Sequence, residues 1–128
     1  MKDSRFDFLV DLPYGHEAER YVEQLVTGGA PFSVEVKRKR IPDWQFYIET
    51  YQNPLNRGTW VPSGISTTQA THQAFVISDT GLVIFAPTAL LRDALQYGKP
   101  KETGGDNPTR GMLVHAQGIM HAASEQPF

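Results

Sequence analysis

Residues 32–37 alternate without a break, Phe-Ser-Val-Glu-Val-Lys, and Arg-Lys-Arg follows. A period of two marks a strand with two unlike faces. Phe32, Val34 and Val36 leave one face, and Ser33, Glu35 and Lys37 leave the other. Ile41-Pro42-Asp43 reads as a turn, and residues 45–51 form a second alternating strand. There Phe46 and Ile48 share one face, while Tyr47, Glu49 and Tyr51 share the opposite one. Two strands around a short turn predict an antiparallel hairpin. That pairing would bring Glu35 and Glu49 to one face if the register agrees.

The flanking chain supplies other elements. Residues 6–10 suit a short strand that ends at Pro13-Tyr14-Gly15. A helix is expected over residues 16–27, with Ala18, Val22, Leu25 and Val26 on its apolar face. Gly28-Gly29 would stop it, because glycine accepts the left-handed C-cap conformation. Residues 53–64 read as a loop and residues 67–71 as a short helix. Residues 74–77 and 82–85 read as strands around a turn. Pro87 opens a helix containing Leu90, Leu91, Ala94 and Leu95. Residues 99–111 read as a loop, residues 111–114 as an edge strand, and the last ten residues as weakly patterned. The class is α+β, with mostly antiparallel strands in the middle and helices before and after.

Bulk properties narrow the function. A length of 128 residues suits a single domain spanning 1–128. The absence of cysteine excludes disulfides and thiolate-held metal within this sequence. No apolar run is long enough to span a bilayer, so a soluble cytoplasmic protein without a membrane partner is expected. Net charge is -2, unlike most non-specific nucleic-acid binders. Lys37, Arg38, Lys39 and Arg40 nevertheless form a local basic run, suited to contact with a polyanion or to a solvated strand end.

Glu35-x-Lys37 is the strongest chemical signal. A carboxylate can ligate Mg²⁺, and an ammonium on the same face can stabilise charge on a phosphoryl group. Alone, the spacing is common, and a solvated ion pair is its ordinary meaning. Glu19, in Gly15-x-x-x-Glu19, and Glu49 add two more carboxylates. Three carboxylates converging on one lysine would repel one another without a cation. Ser63-Gly64-Ile65 fits either a loop-to-helix junction or a loop whose glycine lets amides approach a phosphate. His72 follows that loop and packs or faces the same cleft. Trp44, Tyr47, Tyr51 and Trp60 lie near the basic run, where packing is the ordinary role and base stacking the alternative.

Several short motifs occur in order: Asp11-Leu12-Pro13-Tyr14-Gly15 with Glu19, Val34-Glu35-Val36-Lys37, Tyr47-Ile48-Glu49, Pro62-Ser63-Gly64-Ile65 and Thr68-x-Ala70. Gly105-Asp106-Asn107 and Gly111-Met112-Leu113-Val114 follow. In this order the chain resembles the small phage-encoded members of the PD-(D/E)xK nuclease superfamily, which includes Holliday-junction resolvases and many restriction enzymes. The resemblance implies a restriction-endonuclease-like α/β core, with a mixed sheet flanked by helices. It implies Mg²⁺- or Mn²⁺-dependent cleavage of DNA in a host cytoplasm. Glu19, Glu35 and Glu49 would be the metal-binding carboxylates, and Lys37 would stabilise charge or position water. Arg38, Lys39, Arg40, Ser63 and Gly64 would contact DNA. Pairing into a homodimer follows by analogy with duplex cutters of this size.

The chain departs from that pattern in two places. Residues 28–33 hold no acid ahead of Glu35-x-Lys37, and Thr71 follows Ala70 where an acid is expected. An alternative registration takes Glu35 as the earlier acid and Glu49 as the next, with Tyr51 in place of lysine. A nucleic-acid-binding or regulatory protein without catalysis, on the same fold, is therefore the second expectation. An interaction subunit unrelated to nucleic acid is the third.

Overall fold

In a computed structural model of the chain, residues 19–26, 28, 32–78 and 80–126 are described. The chain divides into two compact units, Met1–Phe32 and Ser33–Phe128. In the first, residues 19–26 form helix α1. Gly28 closes it in the left-handed conformation (φ 71), and its amide donates to the Gln24 carbonyl at 3.0 Å. Val22 and Val26 are exposed within this unit, and so is Glu19. The expected strand over residues 6–10, the Pro13-Tyr14-Gly15 break and Asp11 lie outside the described residues.

The second unit is α+β, with two sheets. Strand β1 is Val34–Lys39, β2 Gln45–Gln52, β3 Val61–Pro62, β4 His72–Ile77 and β5 Val83–Pro87. Helix α2 is Thr88–Ala94, followed by β6 Lys99–Glu102, β7 Thr109–His115 and helix α3 Ala116–Ser124. One sheet runs β1-β4-β5 and is mixed: β1 lies parallel to β4, and β5 antiparallel. The other runs β3-β2-β7-β6 and is antiparallel throughout.

The expected β1–β2 hairpin does not form. Each strand takes a distant partner, β1 pairing with β4 and β2 with β7. Residues 40–44 carry the chain from one sheet to the other. Asp43 braces this crossing, accepting from the Gln45 amide at 3.0 Å and forming an ion pair with Lys39.

The core fills the space between the two sheets and the helices that follow them. Phe46 and Ile48 from β2 meet Phe75 and Ile77 from β4, and the Phe46 and Phe75 rings lie 4.9 Å apart. Leu91 of α2, Val114 of β7 and Ala122 of α3 complete it. Gly111 lets β7 approach β2 closely: a Cβ there would fall 2.3 Å from the Ile48 carbonyl oxygen.

Four local expectations give way to the structure. Residues 99–102 form a strand despite Pro100, because β6 is an edge strand and can forgo one amide donor. Strand β7 is internal, not an edge. The C-terminal segment forms α3 because Ile119 and Ala122 reach the core and the His115 side chain caps the Gln117 amide at 3.0 Å. The short helix placed at 67–71 is instead a single 3₁₀ turn at Gly64–Ser66. Among the described residues, no helix is long and apolar enough to cross a membrane.

Leu91 is fully buried, whereas Met120 is 69% exposed. Leu91→Ala should cost about 2–5 kcal/mol in a urea unfolding experiment. Met120→Ala should stay within about 0.5 kcal/mol of wild type.

Candidate functional site

Parallel pairing with β4 decides which face of β1 turns inward. Glu35, Lys37 and Lys39 stand in register with Gln73, Phe75 and Ile77, all three of them buried. The charged face of β1 therefore shares the inner side of the sheet, and Val36 on the opposite face is 64% exposed. Beneath β4 and β5 this inner side is apolar apart from Gln73, whose buried side chain donates to the Thr88 hydroxyl at 3.2 Å. Beneath the edge strand β1 it opens into a cleft of about 400 Å³. Lys37 to Ile41 and Asp43 form one wall. Tyr47 and Glu49 of β2 line the floor with Leu113, and Lys101 of β6 reaches in from the far side. A smaller hollow adjoins it, lined by Lys37, Tyr47, Glu49, Gly64, Ile65 and Gln73.

Glu35 and Lys37 meet directly, with Nζ 3.2 Å from Oε2. The other carboxylate oxygen, Oε1, is sealed from solvent and makes no hydrogen bond of proper geometry. Burial would raise the Glu35 carboxyl. The Lys37 hydrogen bond and charge outweigh it, helped by the nearby Thr68 and Gln73 side chains, and hold it below the ordinary 4.5. Thr68 and Gln73 thus lie near enough to favour the charged form without closing a bond to Oε1.

The basic run divides by strand alternation. Lys39 turns inward, where its side chain is only 12% exposed; it pairs with Asp43, and its ammonium sits 5.6 Å from the centre of the Phe46 ring. The Lys39 hydrogen bond, then that of the Gln45 amide, holds Asp43 below its ordinary value. Arg38 and Arg40 are exposed, and Arg38 Nε donates to the Ser78 hydroxyl at 3.0 Å.

Glu49 is seated by the 63–66 turn. Gly64 has φ 56, and a Cβ there would lie 2.4 Å from the Glu49 carbonyl oxygen. The Ser63 amide donates to Thr50 at 3.0 Å, and the Ser66 hydroxyl donates to the same carbonyl at 2.9 Å. Gly64 thus lets this turn lie flat against β2, while Ser63 Oγ is buried without a hydrogen-bond partner. Burial raises the Tyr47 phenol, with the Glu49 and Glu102 charges adding to it, although its hydrogen bond to Thr109 at 2.6 Å acts the other way.

The sequence-expected residues thus fall into separate groups. Glu35 and Lys37 are in contact, and Lys37, Glu49 and Gly64 line one hollow. Arg38, Lys39 and Arg40 line the larger cleft, and Ser63 lines neither space. Glu19 belongs to the first unit. His72 is absent from both linings; its Nδ1 lies 2.8 Å from the Thr71 hydroxyl, and burial lowers its imidazole. Among the aromatics, Tyr47 lines both spaces, whereas Trp60 lies 3.9 Å beneath the Arg110 guanidinium. Lys101 was not anticipated. Its signal was Lys99-x-Lys101, obscured by Pro100 and the polar loop that follows.

Among the described residues, no group of three or more histidines, aspartates and glutamates stands close enough to hold a metal. Glu35 and Glu49 do offer hard oxygen donors, and the unpartnered Glu35 Oε1 suits a cation of the Mg²⁺ type. No protein-family model, curated protein or solved structure matches the chain.

Gly64→Ala forces a side chain into left-handed backbone against Glu49 and should destabilise by at least about 1–3 kcal/mol in chemical denaturation. The Glu35–Lys37 pair should also carry a pH signature. With its pKa lowered on folding, Glu35 contributes stability that is fully present above 4.5 and is lost as pH falls through the folded value. Lys37→Met should therefore be less stable than wild type at neutral pH, with the gap narrowing below 4.5. A gap independent of pH would mean that Lys37 does not hold Glu35 in its charged form.

Proposed function

We propose that this chain is a metal-dependent nuclease that hydrolyses phosphodiester bonds in DNA, with Glu35, Lys37 and Glu49 at its centre. One observation carries the reading: Glu35 gives Oε2 to Lys37, and its buried Oε1 has Thr68 and Gln73 nearby but closes no hydrogen bond of proper geometry. A sealed carboxylate oxygen without a partner is costly unless a cation or water satisfies it. Glu35 and Glu49 would hold Mg²⁺ or Mn²⁺, which supplies Lewis-acid polarisation of the phosphate and a more acidic bound water. Lys37 would offset charge on the phosphoryl oxygens, and its contact with Glu35 sets where that ammonium stands. Arg38 and Arg40 would steer the polyanion into the cleft.

The mixed β1-β4-β5 sheet supports a restriction-endonuclease-like core within this reading. So does the order of the sequence motifs, which also suggests phage origin and action in a host cytoplasm. Pairing of two copies would allow both strands of a duplex to be cut.

Plasmid nicking followed over a Mg²⁺ and Mn²⁺ titration tests the proposal. Wild type should cut only with metal. Glu35→Gln and Lys37→Met should each slow cutting by about 10²–10³-fold, comparable to removing one transition-state contact. Glu19→Gln measures whether the α1 carboxylate takes part. A wild-type protein that cuts no linear, circular or branched DNA with either metal sinks the enzyme reading. Salt-sensitive binding without cleavage would select the second reading, a non-catalytic nucleic-acid binder. The absence of a three-carboxylate group among the described residues favours that alternative.

A further inference from the structure

Resting on the nucleic-acid reading above, we infer that the cleft takes a single unpaired strand, gripped between β1 on one side and β6 on the other. Cations stand on both walls. Arg38 and Arg40 line the β1 side, and Lys101 lines the β6 side. Lys99 lies two residues before Lys101 on the same strand and so on the same face. Two of the acids near this space are already committed: Glu35 to Lys37 and Asp43 to Lys39. Arg40 and Lys101 form no ion pair among the described residues, so a chain with net charge -2 concentrates unspent positive charge in one concavity.

The floor between these walls is not charged throughout. Tyr47 and Leu113 are register partners on β2 and β7, and both line the cleft. The phenol of Tyr47 is anchored to the Thr109 hydroxyl at 2.6 Å, which fixes where the ring sits. An aromatic ring between rows of cations is the arrangement that holds single strands: the rows track one backbone and the ring accepts a base face.

Size and shape argue against a duplex as the occupant. The cleft volume of about 400 Å³ matches a small organic ligand, on the scale of a nucleotide. A duplex is read by an element that enters a groove about 12 Å wide. The cleft instead sets its exposed cations, Arg40 and Lys101, on two sides of one concavity, and both α2 and α3 contribute to the core behind it. Only a strand with its bases unstacked can place phosphates on both walls and a base on Tyr47.

Fluorescence anisotropy with the full chain tests this, using a labelled single-stranded DNA oligonucleotide and its blunt duplex, with chelator present to prevent cutting. The single strand should bind at least about 10-fold more tightly than the duplex, consistent with base stacking added to charge. Lys101→Glu and Lys99→Glu lie on exposed edge positions and should fold normally. Each should weaken single-strand binding, and Lys101→Glu should reduce the salt slope by about 0.7 for one lost phosphate contact. Tyr47→Leu should weaken single-strand binding by about 5- to 100-fold with little change for duplex. Equal or tighter duplex binding overturns the inference while leaving the nucleic-acid reading standing. Unchanged single-strand affinity in Lys101→Glu does the same. Absence of binding to either DNA overturns both.

Discussion

The parallel pairing of β1 with β4 is the constraint on which the site depends. It puts Glu35, Lys37 and Lys39 beside Gln73, Phe75 and Ile77, on the inner side of a sheet. An edge strand that turned Val34 and Val36 inward would have extended the core. This one exposes Val36 and turns charge inward. Each inward charge then needs an answer. Lys39 finds Asp43 and the Phe46 ring; Lys37 and Glu35 find each other. Glu35 Oε1 is left without a hydrogen bond of its own, and Glu35 lines neither the cleft nor the hollow beside it.

Two glycines set the shape of the surrounding frame. Gly111 brings the β7 backbone against Ile48 and Glu49, and Gly64 brings the 63–66 turn against Glu49 from another side. Glu49 is thereby held by backbone contacts that any side chain at those positions would break. The register irregularity between Glu49 and Tyr51 falls immediately after it, and β-bulges commonly re-aim side chains next to functional sites. Rigidity of this kind suits a group that must present a carboxylate at a fixed point.

The charge arrangement would also reconcile a near-neutral chain with the polyanionic ligand proposed for it. Acidic groups outside the cleft lower the net charge, while the cleft walls carry Arg38, Arg40 and Lys101. A concave basic surface focuses the field more strongly than the same charges spread over the protein. Glu49 within it would repel a phosphate, unless a divalent cation or the nearby Lys37 ammonium intervenes.

Local chemistry was legible in the residues themselves. The alternation at 32–39 and 45–51 marked β1 and β2, Gly28 marked the end of α1, and Glu35-x-Lys37 marked two side chains on one face. These are encoded within a few residues, because backbone period and glycine conformational freedom are local properties. Partner choice was not local. The short turn after Arg40 argued for a hairpin, yet β1 pairs with residues 38 positions away and β2 with β7. Lys101 joined the cleft only because β6 docks beside β7, and α3 formed because Ile119 and Ala122 found a core to bury against. The sequence determined by itself that Glu35 and Lys37 stand together on a strand. Tertiary structure decided that their face turns inward, because only the identity of the neighbouring strand fixes which side of β1 is shielded from water.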